Sequence, residues 1–159
     1  MSILVLGLGN LLMTDDALGS RVIETLERCF TFPAQVALLD GGTLGLDLLP
    51  RLEGIDKLLV VDALEMDAAP GTLFRLAGDE VPRAFAGKLS VHQMGLQDLL
   101  AVAELLGHLP AQLVVWGAQA ASIEMGTELS AALAPALERV IEAVVGELAG
   151  WGAAPSPAA

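Results

Sequence analysis

Ile3-Leu-Val-Leu-Gly-Leu-Gly-Asn-Leu-Leu-Met-Thr-Asp-Asp16 runs from an unbroken apolar segment into a Gly-x-Gly-Asn turn and closes on two adjacent aspartates. The apolar segment has the character of a strand covered on both faces, as strands of parallel sheets are. A Gly-x-Gly turn after such a strand also opens dinucleotide-binding loops, but those require a third glycine, and position 12 is Leu. Asp15 and Asp16 then stand close to where a pyrophosphate would lie. Two carboxylates at or before a helix start favour a cation as ligand over an anion.

Working outward, strand and helix patterns alternate. Residues 17–30 place Leu18, Val22, Leu26 and Cys29 on one helical face, so Cys29 is expected in the core. Residues 35–39 form a second strand ending in the turn Asp40-Gly41-Gly42-Thr43, followed by a short helix carrying Leu44, Leu46, Leu48 and Leu49. A third strand, 57–61, ends at Asp62, and Pro70-Gly71 marks a turn before a fourth over 72–76. Residues 77–92 lack periodicity and read as a long loop, a length that in compact domains usually has a function. A helix then turns Leu96, Leu99, Leu100, Ala103 and Leu106 inward and is closed by Gly107 and Pro110. The last strand covers 113–117, and a final helix over about 129–149 buries Leu133, Leu137, Val140, Ile141, Val144 and Leu148, with Pro135 starting or kinking it. The expected fold is a three-layer α/β/α domain over residues 1–149, with a twisted, mostly parallel five-stranded sheet and helices on both faces; 150–159, rich in Ala and Pro, is expected to be a mobile tail.

Composition agrees with one such domain. The 159 residues are 54% hydrophobic, ample for a core, and no apolar stretch approaches the ~20 residues that span a bilayer. Twenty acidic against eight basic residues give a net charge of −12, without the basic footprint of a nucleic-acid binder. A single cysteine rules out an internal disulfide and suits a reducing compartment, and no signal-peptide pattern precedes the first strand, so a cytoplasmic protein is expected, with a monomer as the default.

In such sheets ligands bind beyond the carboxyl ends of the strands. That rim collects residues 9–16, residues 40–43, Asp62 and residues 90–93. Three potential metal ligands lie among them: Asp16, Asp62 and His92. Each alone has an ordinary explanation, as helix-start acid, turn hydrogen-bonder and helix cap; their convergence favours function. His108 falls between a helix and the strand it feeds, on the opposite rim. An Asp, Asp, His set with open positions suits a divalent metal such as Zn²⁺ or Ni²⁺. Gly41 and Gly42 serve either the angles of their turn or the admission of a peptide. The chain has no His-Glu-x-x-His, Gly-x-Ser-x-Gly, Walker or Asp-Thr/Ser-Gly motif.

Four segments in register, Ile3 to Gly19, Asp40-Gly-Gly-Thr-Leu-Gly45, Val60-Val-Asp-Ala63 and Leu89-Ser-Val-His-Gln93, resemble those of the hydrogenase maturation endopeptidases over nearly the whole chain. The resemblance implies a hydrolase that trims the C-terminus of the large-subunit precursor of a nickel–iron hydrogenase. It implies that Asp16, Asp62 and His92 contact metal and take part in catalysis; some members have Glu where this chain has Asp16. The nickel is supplied by the precursor, with no permanently bound organic cofactor, nucleic acid or membrane involved. The turn Asp40, Gly41, Gly42 and Thr43 is expected to touch the substrate. Either the metal polarises the scissile carbonyl or a water, or a carboxylate acts as base. Two other classes compete: a dinucleotide-dependent oxidoreductase, with Asp40 in the place of a ribose-binding acid, and a noncatalytic metal carrier using the same three ligands.

Overall fold

The structure, a computed structural model, describes residues 1–43, 45–81 and 91–158, and over 91–95 the backbone alone. Ile3–Leu8 forms β1, and every one of its residues is buried. It lies between two parallel partners, β3 (Val36–Gly42) and β4 (Lys57–Leu64). β4 pairs in parallel with β6 (Gln112–Gln119), and β5 (Leu73–Ala77) closes that edge antiparallel to β6. The strand order β3-β1-β4-β6-β5 gives the mostly parallel five-stranded sheet that the alternating pattern implies.

Two apolar layers cover the sheet. On one face α1 (Leu18–Cys29) and the last helix pack Leu18, Val22, Ile23, Leu26, Val140 and Val144 onto Val5, Leu59 and Val61. On the other face a 3-10 turn (Gly45–Leu48), α2 (Leu49–Leu52) and α3 (Val91–Leu105) pack Leu48, Leu52, Leu96 and Leu99 onto Leu4, Leu6, Leu58 and Val60. The last helix, α4 (Ala134–Gly150), begins with Pro135 in its first turn, where proline has no backbone donor to lose. No helix among the described residues is long and apolar enough to cross a membrane.

Several local expectations are corrected. Cys29 is exposed: Ile23 completes the buried stripe of α1, and Glu27, Arg28 and Cys29 form a solvated last turn. Leu106 is exposed rather than inward, because α3 ends at Leu105 and Gly107 reverses the chain at φ +74°. Asp40, Gly41 and Gly42 belong to β3, not to a turn after it: Asp40 lies opposite Gly7, Gly42 opposite Leu8, and Gly41 is the extra residue of a bulge. Asp62 likewise lies inside β4, opposite Gly117, because pairing with β6 continues to Leu64. Of the long loop expected over 77–92, residues 82–90 lie outside the described residues, as does Leu44 of the expected short helix.

Beyond α4 the segment expected to be a mobile tail carries contacts of its own. Ala153 is fully buried, and β7 (Ser156–Pro157) pairs antiparallel with β2 (Phe30–Thr31), a two-residue strand straight after α1. The Ala158 amide donates to the Cys29 carbonyl at 2.9 Å.

Candidate active site

β1 and β4 are neighbours, yet α1, which follows β1, and α3, which follows β4 and β5, cover opposite faces. The carboxyl ends of β1 and β4 therefore flank a crevice where the chain changes direction, the place where open α/β sheets bind ligands. Asp16 and Asp62 are the acids delivered there.

Asp62 is placed by the alternation of β4. It shares parity with Leu58, Val60 and Leu64, so it belongs to the face covered by α2 and α3, and it is 0% exposed. Gly117 beside it accepts no larger residue, since a Cβ there would stand 2.2 Å from the Asp62 carbonyl oxygen. Asp16 arrives from a single 3-10 turn (Thr14–Ala17) that joins β1 to α1. Its carboxylate accepts a hydrogen bond from the Asn10 amide at 3.2 Å, and its residue is half-buried at the crevice mouth. Gly9 makes this approach possible: it sits at φ +139°, and a Cβ on it would fall 1.8 Å from the Asp16 carbonyl oxygen. Gly19 serves the same close packing one turn later, its Cα facing the Leu8 and Val61 carbonyls. The glycines of the Gly-x-Gly turn and of α1 thus admit backbone, not a pyrophosphate.

His92 lies in the first turn of α3. Its side chain is outside the described residues. Because α3 feeds β6 at that strand's amino end, its own start is at the carboxyl rim shared with Asp16 and Asp62. Among the described residues no group of three His, Cys, Asp or Glu side chains is gathered closely enough to hold a metal ion. His108 precedes β6 and lies on the opposite rim, as expected, with its amide bonded to the Ala103 carbonyl at 2.8 Å.

Asp40, Gly42 and Thr43 form the wall of a cleft of about 290 Å³ on the α1 side of the crevice, lined also by Gly9, Asn10, Leu11 and Ser20. Asp40 Oδ1 accepts from the buried Ser20 hydroxyl at 2.7 Å and from the Gly42 amide at 3.1 Å. Gly41 is buried away from this cleft, and a Cβ on it would press on the side chains of Leu6, Leu48 and Leu8 at 2.8–3.2 Å. Gly42, at φ +53°, is the one whose backbone angles favour glycine.

In sequence Asp15 is only one of two carboxylates at or before a helix start; in the structure its role is a different one. Asp15 is fully buried, and its carboxylate accepts from the amides of Ala121, Ser122 and Ser130 and from the Ser130 hydroxyl at 2.7–3.0 Å. It fastens the loop after β6 to the loop after β1. The available signal was two apolar residues, Ile123 and Met125, in a stretch without periodicity.

A glycine-lined crevice, two acids and no phosphate-binding turn make the comparisons with known proteins decisive. Residues 20–147 match the family model described as hydrogenase maturation protease. The chain belongs to the hydrogenase maturation protease family. It is 41% identical to the hydrogenase 2 maturation protease of Escherichia coli over 149 residues, 91% of each chain. It is 43% identical over 153 residues to the hydrogenase expression/formation protein HupD of Rhodobacter capsulatus, 94% of this chain and 72% of that one. The solved structure of the hydrogenase maturating endopeptidase HybD from E. coli superposes with a TM-score of 0.95 at 39% identity, covering 99% of this chain and 98% of that one. This maturation protease is therefore a hydrolase with the three-layer α/β fold, and the oxidoreductase alternative is set aside.

Proposed function

We propose that this protease removes a C-terminal peptide from the nickel-loaded precursor of a nickel–iron hydrogenase large subunit, and that Asp16, Asp62 and His92 complete the coordination of the substrate's nickel. The observation that carries the reading is the delivery of Asp16 and Asp62, 46 positions apart in sequence, to the carboxyl ends of two neighbouring strands. Carboxylates and an imidazole match a borderline divalent cation, and a cleavage step that needs the metal waits for its insertion.

The two acids differ in access. Asp16 is half-buried and open to an incoming group, whereas Asp62 is enclosed, so the metal reaches Asp62 only as its covering side chains give way. Nickel held there would supply Lewis acidity toward the scissile carbonyl, and Asp16 is the carboxylate a water would reach as base. Asp40, Gly42 and Thr43 contribute the substrate-facing wall, with Asp40 held by Ser20 so that its backbone is presented in one arrangement.

The test is mass spectrometry of the nickel-loaded precursor before and after incubation with the protein. Loss of one C-terminal peptide is expected, with nickel-free precursor left intact. Asp62→Ala and His92→Ala each abolish the shortening while far-ultraviolet circular dichroism is unchanged. Normal cleavage by either variant removes that residue from the mechanism. Nickel leaving a precursor of unchanged mass identifies a carrier instead.

A further inference from the structure

Beside the crevice, two loops are laced together into a rigid lip. The Gly126 amide donates to the Leu12 carbonyl at 2.9 Å, the Thr14 amide to the Gly126 carbonyl at 3.0 Å, and the Asp15 amide to the Ser122 carbonyl at 3.1 Å. The Thr14 hydroxyl donates to the Glu124 carbonyl, and the Asp15 carboxylate holds both ends of the 121–130 loop. Such lacing orders backbone that loops usually leave free. What it presents is apolar: Leu12 is 61% exposed, Met125 85%, and Ile123 and Leu11 are exposed with them. Leu11 also lines the cleft beside Asp40, so the lip continues the candidate active site without a break. Exposed Glu124 and Glu128 interrupt it, on a chain whose net charge is −12.

Large apolar side chains held in water by a rigid backbone mark a contact surface. We propose that this lip docks the precursor's own polypeptide: an extended segment next to the scissile bond whose apolar side chains cover Leu12, Ile123 and Met125 and whose basic residues face Glu124 and Glu128. This rests on the processing function proposed above. Continuity with the cleft selects the occupant, since a chain crossing the crevice mouth past Asp16 meets Leu11 and Leu12 next. Charge selects its composition, since an acidic rim favours a basic segment.

The double variant Leu12→Ser, Met125→Ser tests this, with Leu105→Ser as control; Leu105 is equally exposed but lies at the far end of α3. Covering one such side chain changes affinity about tenfold. The expected result is a KM for nickel-loaded precursor raised about a hundredfold in the double variant, two tenfold losses combined, with kcat within about twofold and the unfolding temperature unchanged. The control matches wild type. Calorimetric titration with nickel-free precursor should show the same loss, and wild-type binding should weaken as salt is raised. Unchanged KM and affinity in the double variant overturn the proposal, as does a wild-type protein that fails to bind precursor. A wild-type protein that binds through the lip but leaves the precursor's mass unchanged refutes the processing function and leaves the lip standing.

Discussion

Replacing Asp15 with Ala removes the acceptor of four hydrogen bonds at one buried position. Hydrogen bonds to a charged group contribute about 1.5–3 kcal/mol each, and their sum overstates a cluster. Water reaches part of the abandoned loop, since Ser122 and Ser130 are half-buried and Ala121 is exposed, which reduces the loss. A destabilisation of about 3 kcal/mol follows, a large share of the roughly 5–15 kcal/mol that holds a domain together. In a domain of this size it lowers the unfolding temperature by roughly 6–12 °C. Asp15→Asn loses less, because one oxygen still serves the amides of Ala121 and Ser122 while the new NH₂ confronts the Ser130 amide. Urea unfolding gives the magnitude, and hydrogen exchange locates it: the amides of Ala121, Ser122 and Ser130 should lose protection first. A shift in Asp15→Ala below about 1 kcal/mol, well under the value expected for charged acceptors, or unchanged exchange at those three amides, would refute the reasoning.

Gly19→Ala places a Cβ 2.2 Å from the Leu8 carbonyl and 2.3 Å from that of Val61, backbone that cannot step aside. A loss of about 3 kcal/mol or more is expected from the denaturation midpoint; near wild-type stability would mean that α1 does not rest on the strands as described. Glu147 accepts from Arg75 Nε at 2.7 Å and Trp116 Nε1 at 2.9 Å, and the Arg75 hydrogen bond, ahead of the opposing effect of burial, lowers its pKa. A lowered carboxylate pKa stabilises the fold above the ordinary glutamate range and loses that contribution as the pH falls through the lowered value. Glu147→Gln should therefore be less stable at neutral pH, by under about 1 kcal/mol because Arg75 is partly exposed, and should converge with wild type in acid. A difference independent of pH would discard the ion pair as its cause.

The sheet was legible because its inner strands are covered on both faces: unbroken runs such as Leu58–Leu59–Val60–Val61 leave little alternative to a parallel sheet. The strand ends were less so. Glycine and aspartate at 40–42 signal a turn in sequence, yet a neighbouring strand that continues keeps them in the ladder, and only the pairing partner decides. Asp62 was misjudged as a strand terminus for the same reason. Of the paired acids Asp15 and Asp16, sequence could not say which is enclosed, because that depends on a loop more than a hundred positions later. Cys29 and Leu106 obey helical periodicity but fall in or past final turns, where the helix has outrun the core it covers.

The Asp15 anchor grips its loop by main-chain amides and one hydroxyl. Apart from Gly126, where a Cβ would stand 3.1 Å from the Thr14 hydroxyl oxygen, the side chains of residues 123–128 therefore take no part in that grip. Mutations can rewrite those five side chains while the acids at the crevice keep their positions. Substrate choice and bond cleavage are thus free to evolve on separate schedules within one scaffold.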